Sequence, residues 1–138
     1  MAYRRPNALT SKVFNKLAMR FGLSGTQVLA VRGRSTGTVH RVPVIPVEHA
    51  GASYLVSPRG ESQWVRNLRA AGGACSLGPH GAPVATRAVE VPVEERAPVL
   101  DAYQELAGRA VSSHFAALPD PADHPTLRLA AAGPGDGV

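Results

Sequence analysis

Residues 57–76 read SPRGESQWVRNLRAAGGACS, and they carry the end of an apolar strand through a glycine turn into a short basic helix. Trp64, Val65, Leu68 and Ala71 recur at i, i+1, i+4 and i+7, the spacing that buries one helix face against a sheet. Gly72 and Gly73 end the helix. The turn Pro58-Arg59-Gly60 stands just ahead of it, so amides without an internal acceptor lie beside a guanidinium, with Arg66 and Arg69 following. An ordinary crossover helix with solvated arginines would explain each residue singly. The cluster of turn, helix start and arginines points instead to an anionic ligand, and by itself names no substrate.

Outward from this stretch the chain is rich in short strands. Residues 27–32, QVLAVR, have the β-branched and aliphatic content of a strand, and Arg34-Ser35-Thr36-Gly37 supplies a small, polar turn for a hairpin. The return strand, 39–47, contains Pro43 and Pro46 and is expected at an edge or broken by a bulge. Strands follow over 53–56, 74–77 and 83–91, with a turn at Gly78-Pro79-His80-Gly81. Most links are too short for parallel crossovers, so five strands with one inserted helix favour a small barrel of α+β class. Beyond Pro92, the pair Glu94-Glu95 suits a helix start, with Val99, Leu100, Tyr103 and Leu106 on one face and Gly108 after it. A shorter segment spans 111–118, and 126–131 is a candidate closing strand. The expected organisation is a single domain over 1–132 and a disordered tail over 133–138.

Composition bounds what such a domain can be. Hydrophobic residues make up 44% of the 138 and aromatic ones only 5%, which predicts an aliphatic core in one domain. The formal charge of +5 is uneven: basic residues crowd the chain up to Val89, and acids predominate from Glu90 onward. That asymmetry suggests an anionic partner for the first part, a phosphorylated cofactor, a nucleic acid or an acidic membrane. Stacking on nucleic acid would call for exposed aromatics, and one Trp, three Tyr and three Phe are few. The spacing over residues 9–21 predicts a basic amphipathic helix, expected either to cross the barrel or to lie on an acidic membrane. No signal-peptide pattern opens the sequence, so a cytoplasmic location is expected, with membrane contact limited to that helix.

Protein-borne chemistry is sparse. Cys75 is the one cysteine, the histidines show no metal-ligand spacing, and neither a GxSxG elbow nor a dinucleotide fingerprint is present. No metal site is expected. An enzyme built on this chain would leave the redox work to a cofactor and supply position and field.

Four motifs in order, VLAVRGRSTG, a proline-bearing return strand, SPRGESQWVRNLRAAG and DHPTLRL, together resemble the deazaflavin (F420)-dependent nitroreductase and quinone reductase family over roughly residues 9–131. The resemblance implies a small split β-barrel of the FMN-binding-like kind with flanking helices. It also implies binding of coenzyme F420 and hydride delivery to a quinone or nitroaromatic acceptor. The family's glycine-flanked basic turn falls on Gly33, Arg34, Ser35, Thr36 and Gly37, with Ser35 where a lysine or arginine is usual. The family's next arginine falls on His40, with Arg41 adjacent. Ser57, Arg59 and Gly60 resemble its phosphate-binding strand end, and Trp64 with Asn67 its W-x-x-N. A tyrosine-bearing late segment lines the substrate pocket in the family; here His114 and Phe115 stand near that place, and His114 is the candidate proton donor.

A deazaflavin has an apolar ring, a phosphate and an acidic glutamyl tail, needing an apolar slot that leads into a cationic channel. FMN, with one phosphate and no such tail, needs fewer cations and is the runner-up cofactor. A carrier that binds a deazaflavin or a lipid without turnover is the alternative from another class. The oligomeric state, monomer or homodimer, is open.

Overall fold

The computed structural model describes residues 25–79 and 81–133. The helix expected over 9–21, His80 of the expected turn and the last five residues of the tail lie outside the described residues.

Seven strands form one antiparallel sheet. β1 (Gln27–Arg32) and β2 (Val39–Val44) make the hairpin, in register from Gln27 opposite Val44 to Arg32 opposite Val39. β3 (Val47–His49) and β4 (Ala52–Val56) make a second one, whose two turn residues Ala50 and Gly51 both have positive φ (50° and 80°). That is the mirror-image turn whose twist suits antiparallel strands. β5 (Ala74–Gly78), β6 (Val84–Glu90) and β7 (Thr126–Ala131) complete the order β2-β1-β5-β6-β7-β4-β3. The sheet's outer members, β2 and β3, are separated only by Ile45 and Pro46. Three peptide steps span at most about 11 Å. The sheet must therefore curl until its two edges meet, and the edges do so without pairing: the barrel is split. Pro46, with no N–H to give a ladder, divides the strand expected over 39–47 into two. The sheet thus exceeds the expected five strands, and 126–131 closes it.

Helix α1 (Gln63–Ala70) lies on this sheet by its buried Val65, Asn67 and Leu68. Burying Val65 and Leu68 fully is worth about 1.5–3 kcal/mol each. The Pro58-Arg59-Gly60 turn does not open α1 directly, because the buried Glu61 and Ser62 intervene, with Ser62 at the N-cap. At the other end Gly73 has φ 91° and its carbonyl accepts from Ala88 N at 2.9 Å. A Cβ there would collide with the Ala88 carbonyl, so only glycine lets the helix turn back into β5.

The late helices are α2 (Ala97–Ala107) and α3 (Arg109–Ala117), hinged at Gly108. Glu94 and Glu95 fall in a 3-10 turn instead of starting α2, which begins at Ala97 with Pro98 in its first turn. There are two cores. Inside the curled sheet, Leu29, Val31, Val44, Leu55, Leu68, Leu77, Ala88 and Leu127 pack with Cys75, a set without a buried aromatic. Outside it, Val47 and Val56 pack with Val99, Leu100, Tyr103, Val111 and Phe115 of the two late helices. No helix among the described residues is long and apolar enough to cross a membrane.

Charged groups tie these layers together. Arg69 of α1 bonds Glu61, which is 5% exposed, and Glu90 of β6, at 2.7 and 2.9 Å to the latter. Arg96, also 5% exposed, reaches Glu90 at 3.3 Å and the carbonyls of Val91, Pro121 and His124. Hydrogen bonds from Arg69 hold the Glu90 carboxyl below the ordinary glutamate range, against the opposing effect of burial, with the charges of Arg69 and Arg96 adding to the lowering. Glu90 and then Glu61 raise the Arg69 guanidinium in turn. Arg69 is thus spent inside the fold and does not thicken the ligand's positive field as the sequence suggested.

Because the folded carboxyl of Glu90 titrates below its unfolded counterpart, its contribution is full above the unfolded value and disappears as pH falls through the folded one. Glu90→Gln is therefore expected to melt below the parent at pH 7, with the gap closing as pH drops beneath the ordinary glutamate range. Parallel thermal melts across that interval check this; a gap constant with pH would show that Glu90 acts by packing alone.

Candidate functional site

A cavity of about 740 Å³ opens where the β1–β2 hairpin, the start of α1 and the α2–α3 corner converge. Its two ends differ in chemistry. At the surface stand Arg34, Ser35, Thr36 and His40, all exposed; inward lie Val31, Val42, Val44, Val56, Tyr103 and Val111.

The hairpin tip is fixed locally. Gly33 N donates to Thr38 O at 2.8 Å and Gly37 N to Gly33 O at 3.0 Å, and Thr36 Oγ1 accepts from Thr38 N at 3.3 Å. Gly37 has φ 74° and completes the turn without lining the cavity. Gly33 admits the His40 ring, whose Nε2 would sit 2.8 Å from any added Cβ. Arg41, on the opposite face of β2, is exposed and outside the wall, as alternation along a strand requires. Of the two residues placed at the family's arginine position, His40 faces the cavity.

Arg34 is held by helix α1. Asn67 Oδ1, 5% exposed as a residue, accepts from Arg34 N at 3.1 Å and Nη1 at 2.7 Å, and Gln63 Oε1 accepts from Nη2 at 2.8 Å. Both acceptors are neutral amides, and no carboxylate pairs with Arg34 among the described residues. The guanidinium is therefore aimed but not neutralised, the opposite of Arg69. Asn67 lines the cavity and also positions Arg34, a role the sequence did not reveal. Gln63 does the same and was missed.

Ser57 ends β4 at the cavity wall, fully buried. Its Oγ donates to Gly60 O at 2.5 Å and lies 3.1 Å from Ser62 Oγ, and its N–H donates to Pro125 O at 2.9 Å. Gly60, φ 92°, is the acceptor of this turn and does not line the cavity. Behind it the buried His124 places its two ring nitrogens against the carbonyls of Ser57 (3.1 Å) and Leu118 (2.5 Å), and stacks on Phe115 with centroids 4.1 Å apart. The DHPTLRL motif thus braces the Pro58-Arg59 turn from beneath. Arg59 lines the cavity, and its charge reaches Tyr103.

Trp64 is half-buried: it packs on the inner core and also lines the cavity. The helix-face reading of Trp64 holds in part, and the same side chain also stands on the cavity wall. His114 of α3 lines the inner wall with Ala110 and Val111, whereas Phe115 turns into the outer core. Tyr103, read from the sequence only as a helix-face residue, also lines the cavity, a placement that depends on the α2–α3 corner.

Residues 2–111 match the F420H(2)-dependent quinone reductase family. The chain belongs to that family. It is an F420-dependent reductase with coenzyme F420 as its cofactor, and its fold is the split barrel. Among solved structures it is similar to an F420-H2 dependent reductase, FDR-A (19% identity, TM-score 0.55, covering 78% of this chain and 95% of that one). An FAD-binding protein of Mesorhizobium loti has 18% identity and a TM-score of 0.52 over 96% and 95% of the two chains. The heme storage protein HutZ of Vibrio cholerae has 14% identity and a TM-score of 0.54 over 84% and 90%. No curated protein matches the chain.

In this reductase the double placement of Trp64 has a measurable consequence. Trp64→Ala is expected to lose about 2 kcal/mol of stability, less than a fully buried tryptophan would, and to weaken F420 binding as well. Urea unfolding and F420 titration of the same protein check both halves; unchanged stability would make Trp64 a ligand contact only.

Proposed function

We propose that the reductase takes hydride from F420H2 to quinone-like acceptors, with nitroaromatic compounds as further substrates. Arg34, Ser35, Thr36, His40, Ser57, Arg59, Trp64 and Asn67 form the cofactor site in this reading, and His114 faces the acceptor. The observation that carries it is the un-neutralised Arg34, fixed by two amide oxygens at the mouth of an apolar cavity. The residues present suit the cofactor: a cationic rim for phosphate and glutamyl carboxylates, and an apolar interior for a flat ring. Bound and reduced, the deazaflavin supplies a hydride. The chain's own residues then orient the two reactants and exclude water. His114, on the inner wall, is the ionisable group assigned to proton delivery.

FMN, with fewer anionic groups, would leave part of this rim unused. A carrier function is the second reading, favoured by the likeness in fold to the heme storage protein. The reading includes residues 9–21 as a peripheral contact with an acidic membrane on the cytoplasmic side, where lipid quinones are met. A homodimer is the favoured assembly, since one structure of similar fold (17% identity, TM-score 0.56) is a domain-swapped dimer.

Titration with oxidised F420 and with FMN, followed by cofactor fluorescence, tests the site. Arg34→Ala and Arg59→Ala are each expected to weaken F420 binding by about 1.5–3 kcal/mol, the cost of a lost charged hydrogen bond. Oxidation of F420H2 by menadione separates enzyme from carrier: tight binding without turnover of any quinone or nitro compound would favour the carrier. His114→Ala is expected to slow turnover while leaving F420 affinity intact; unchanged turnover would assign the proton to solvent.

A further inference from the structure

The fully buried His124 touches both sides of the site. Its Nδ1 lies 3.1 Å from the carbonyl oxygen of Ser57, the strand end on one wall. Its Nε2 lies 2.5 Å from the carbonyl oxygen of Leu118, the C-cap of α3, the helix that brings Val111 and His114 to the other wall. The ring also stacks on Phe115 of α3, with planes 15° from parallel. A carbonyl oxygen only accepts. A neutral imidazole has one N–H, so one of the two carbonyls would face a lone pair in a place closed to water, whereas an imidazolium donates to both. The surroundings suit that charge. Leu118 puts the negative end of the α3 dipole against the ring, and Asp120 and Asp123 stand on the short turn that His124 ends. The opposing charge nearest by is Arg96, whose Nη1 is 3.4 Å from the His124 carbonyl, and Glu90 answers it at 3.3 Å. Of the other charged or titratable groups on the packed elements, Glu61 is held by Arg69, Arg59 follows Ser57 in the same turn, Arg109 and His114 belong to α3, and Arg128 of β7 is exposed.

We propose that His124 is a positioning residue for the cofactor site: as an imidazolium bonded to both carbonyls it ties the end of α3 to the strand end carrying Ser57, and F420 affinity depends on the ring keeping both hydrogens. The inference rests on the reading above that Ser57 and Arg59 belong to the F420 site. The Ser57 backbone is anchored at two points, its N–H on Pro125 O at 2.9 Å and its carbonyl on the His124 ring. Of the two ring contacts the one to Leu118 is the shorter, so a ring reduced to one hydrogen keeps that bond and turns a lone pair on the Ser57 carbonyl. Repulsion there pushes the strand end away from its brace and carries the Pro58-Arg59 turn with it. The sign follows: the tie is intact while the ring holds its second hydrogen and is lost as rising pH removes it. Histidine is the side chain for which such a change falls near neutral pH, and the cofactor wall is the part of the cavity that feels it.

Heteronuclear NMR of the full chain, with His124 assigned through the backbone, reads the two ring nitrogens directly as pH is raised across the histidine range. Calorimetric titration with F420 at the same pH values gives the affinity. Both nitrogens are expected to carry hydrogen at the acidic end, and F420 affinity to fall about three- to tenfold, the size of one hydrogen bond, with the midpoint at which the ring loses one of them. In His124→Gln that step is expected to be absent, and in His40→Gln, which changes the exposed histidine of the rim, it is expected to persist. A ring with one bare nitrogen at the acidic end would overturn the proposal. So would an F420 affinity that ignores the ring's titration, or a His124→Gln profile weaker than the parent's but of the same shape, which is what packing alone would produce. Should His124→Gln not fold, the two midpoints in the parent decide the matter. Failure of the site reading is distinct: Arg34→Ala would then bind F420 as the parent does, whatever the ring of His124 does.

Discussion

Ile45 and Pro46 have to carry the chain from one edge of a seven-stranded sheet to the other, and the architecture follows from the shortness of that link. A flat sheet of this order would hold β2 and β3 six strand spacings apart, about 28 Å, far beyond the reach of three peptide steps. The sheet must curl. Once curled, it brings the β1–β2 hairpin tip over helix α1, which is why Arg34 meets Asn67 and Gln63 from positions 33 and 29 residues later in sequence. Pro46 at the joint keeps the meeting edges from zipping together, and the cavity runs along the β2 side of that joint, past Val42, Pro43, Val44 and Ile45.

Two arginines on or beside α1 show how the same residue type is put to opposite uses. Arg69 faces Glu61 and Glu90, one of them buried, and its charge is consumed in fastening the helix to β6. Arg34 faces amide oxygens, which satisfy its N–H groups and restrict its position while leaving the net charge in place. A guanidinium so held has little left to lose in side-chain entropy when an anion arrives.

Much of the fold was legible because strand periodicity and turn residues are local. The span 126–131 was read as the closing strand, and the glycines after α1 end it where Gly73 passes against Ala88. What was not legible depended on tertiary pairing. Nothing in Glu90 or Glu61 announces that each will meet Arg69, so the arginine count overstated the free positive field. Tyr103 could be placed on a helix face but not at a cavity, because its place on the wall depends on the turn into α3 that Gly108 allows. Likewise DHPTLRL was visible as a motif, whereas the bracing of Ser57 by His124 spans 67 residues.

A closed barrel of this size would fill its interior with side chains and leave no room for a flat ligand. Splitting it makes room at the seam, but unpaired edges and an unfilled interior both cost stability. The second core offsets that cost, since Val47 and Val56 from the β3–β4 hairpin are covered by α2 and α3. Arg96 then fastens the start of α2 to β6 and to the loop that ends in His124. The helices that stabilise the open barrel are consequently the same ones that wall its cavity, through Tyr103, Val111 and His114. Substitutions on the inward face of α2 and α3 would reshape this side of the cavity while the inner core, made by the sheet and α1, remains intact. The opposite wall has no such freedom, because Arg34, Ser57 and Trp64 are each bonded or packed into the elements that close the sheet.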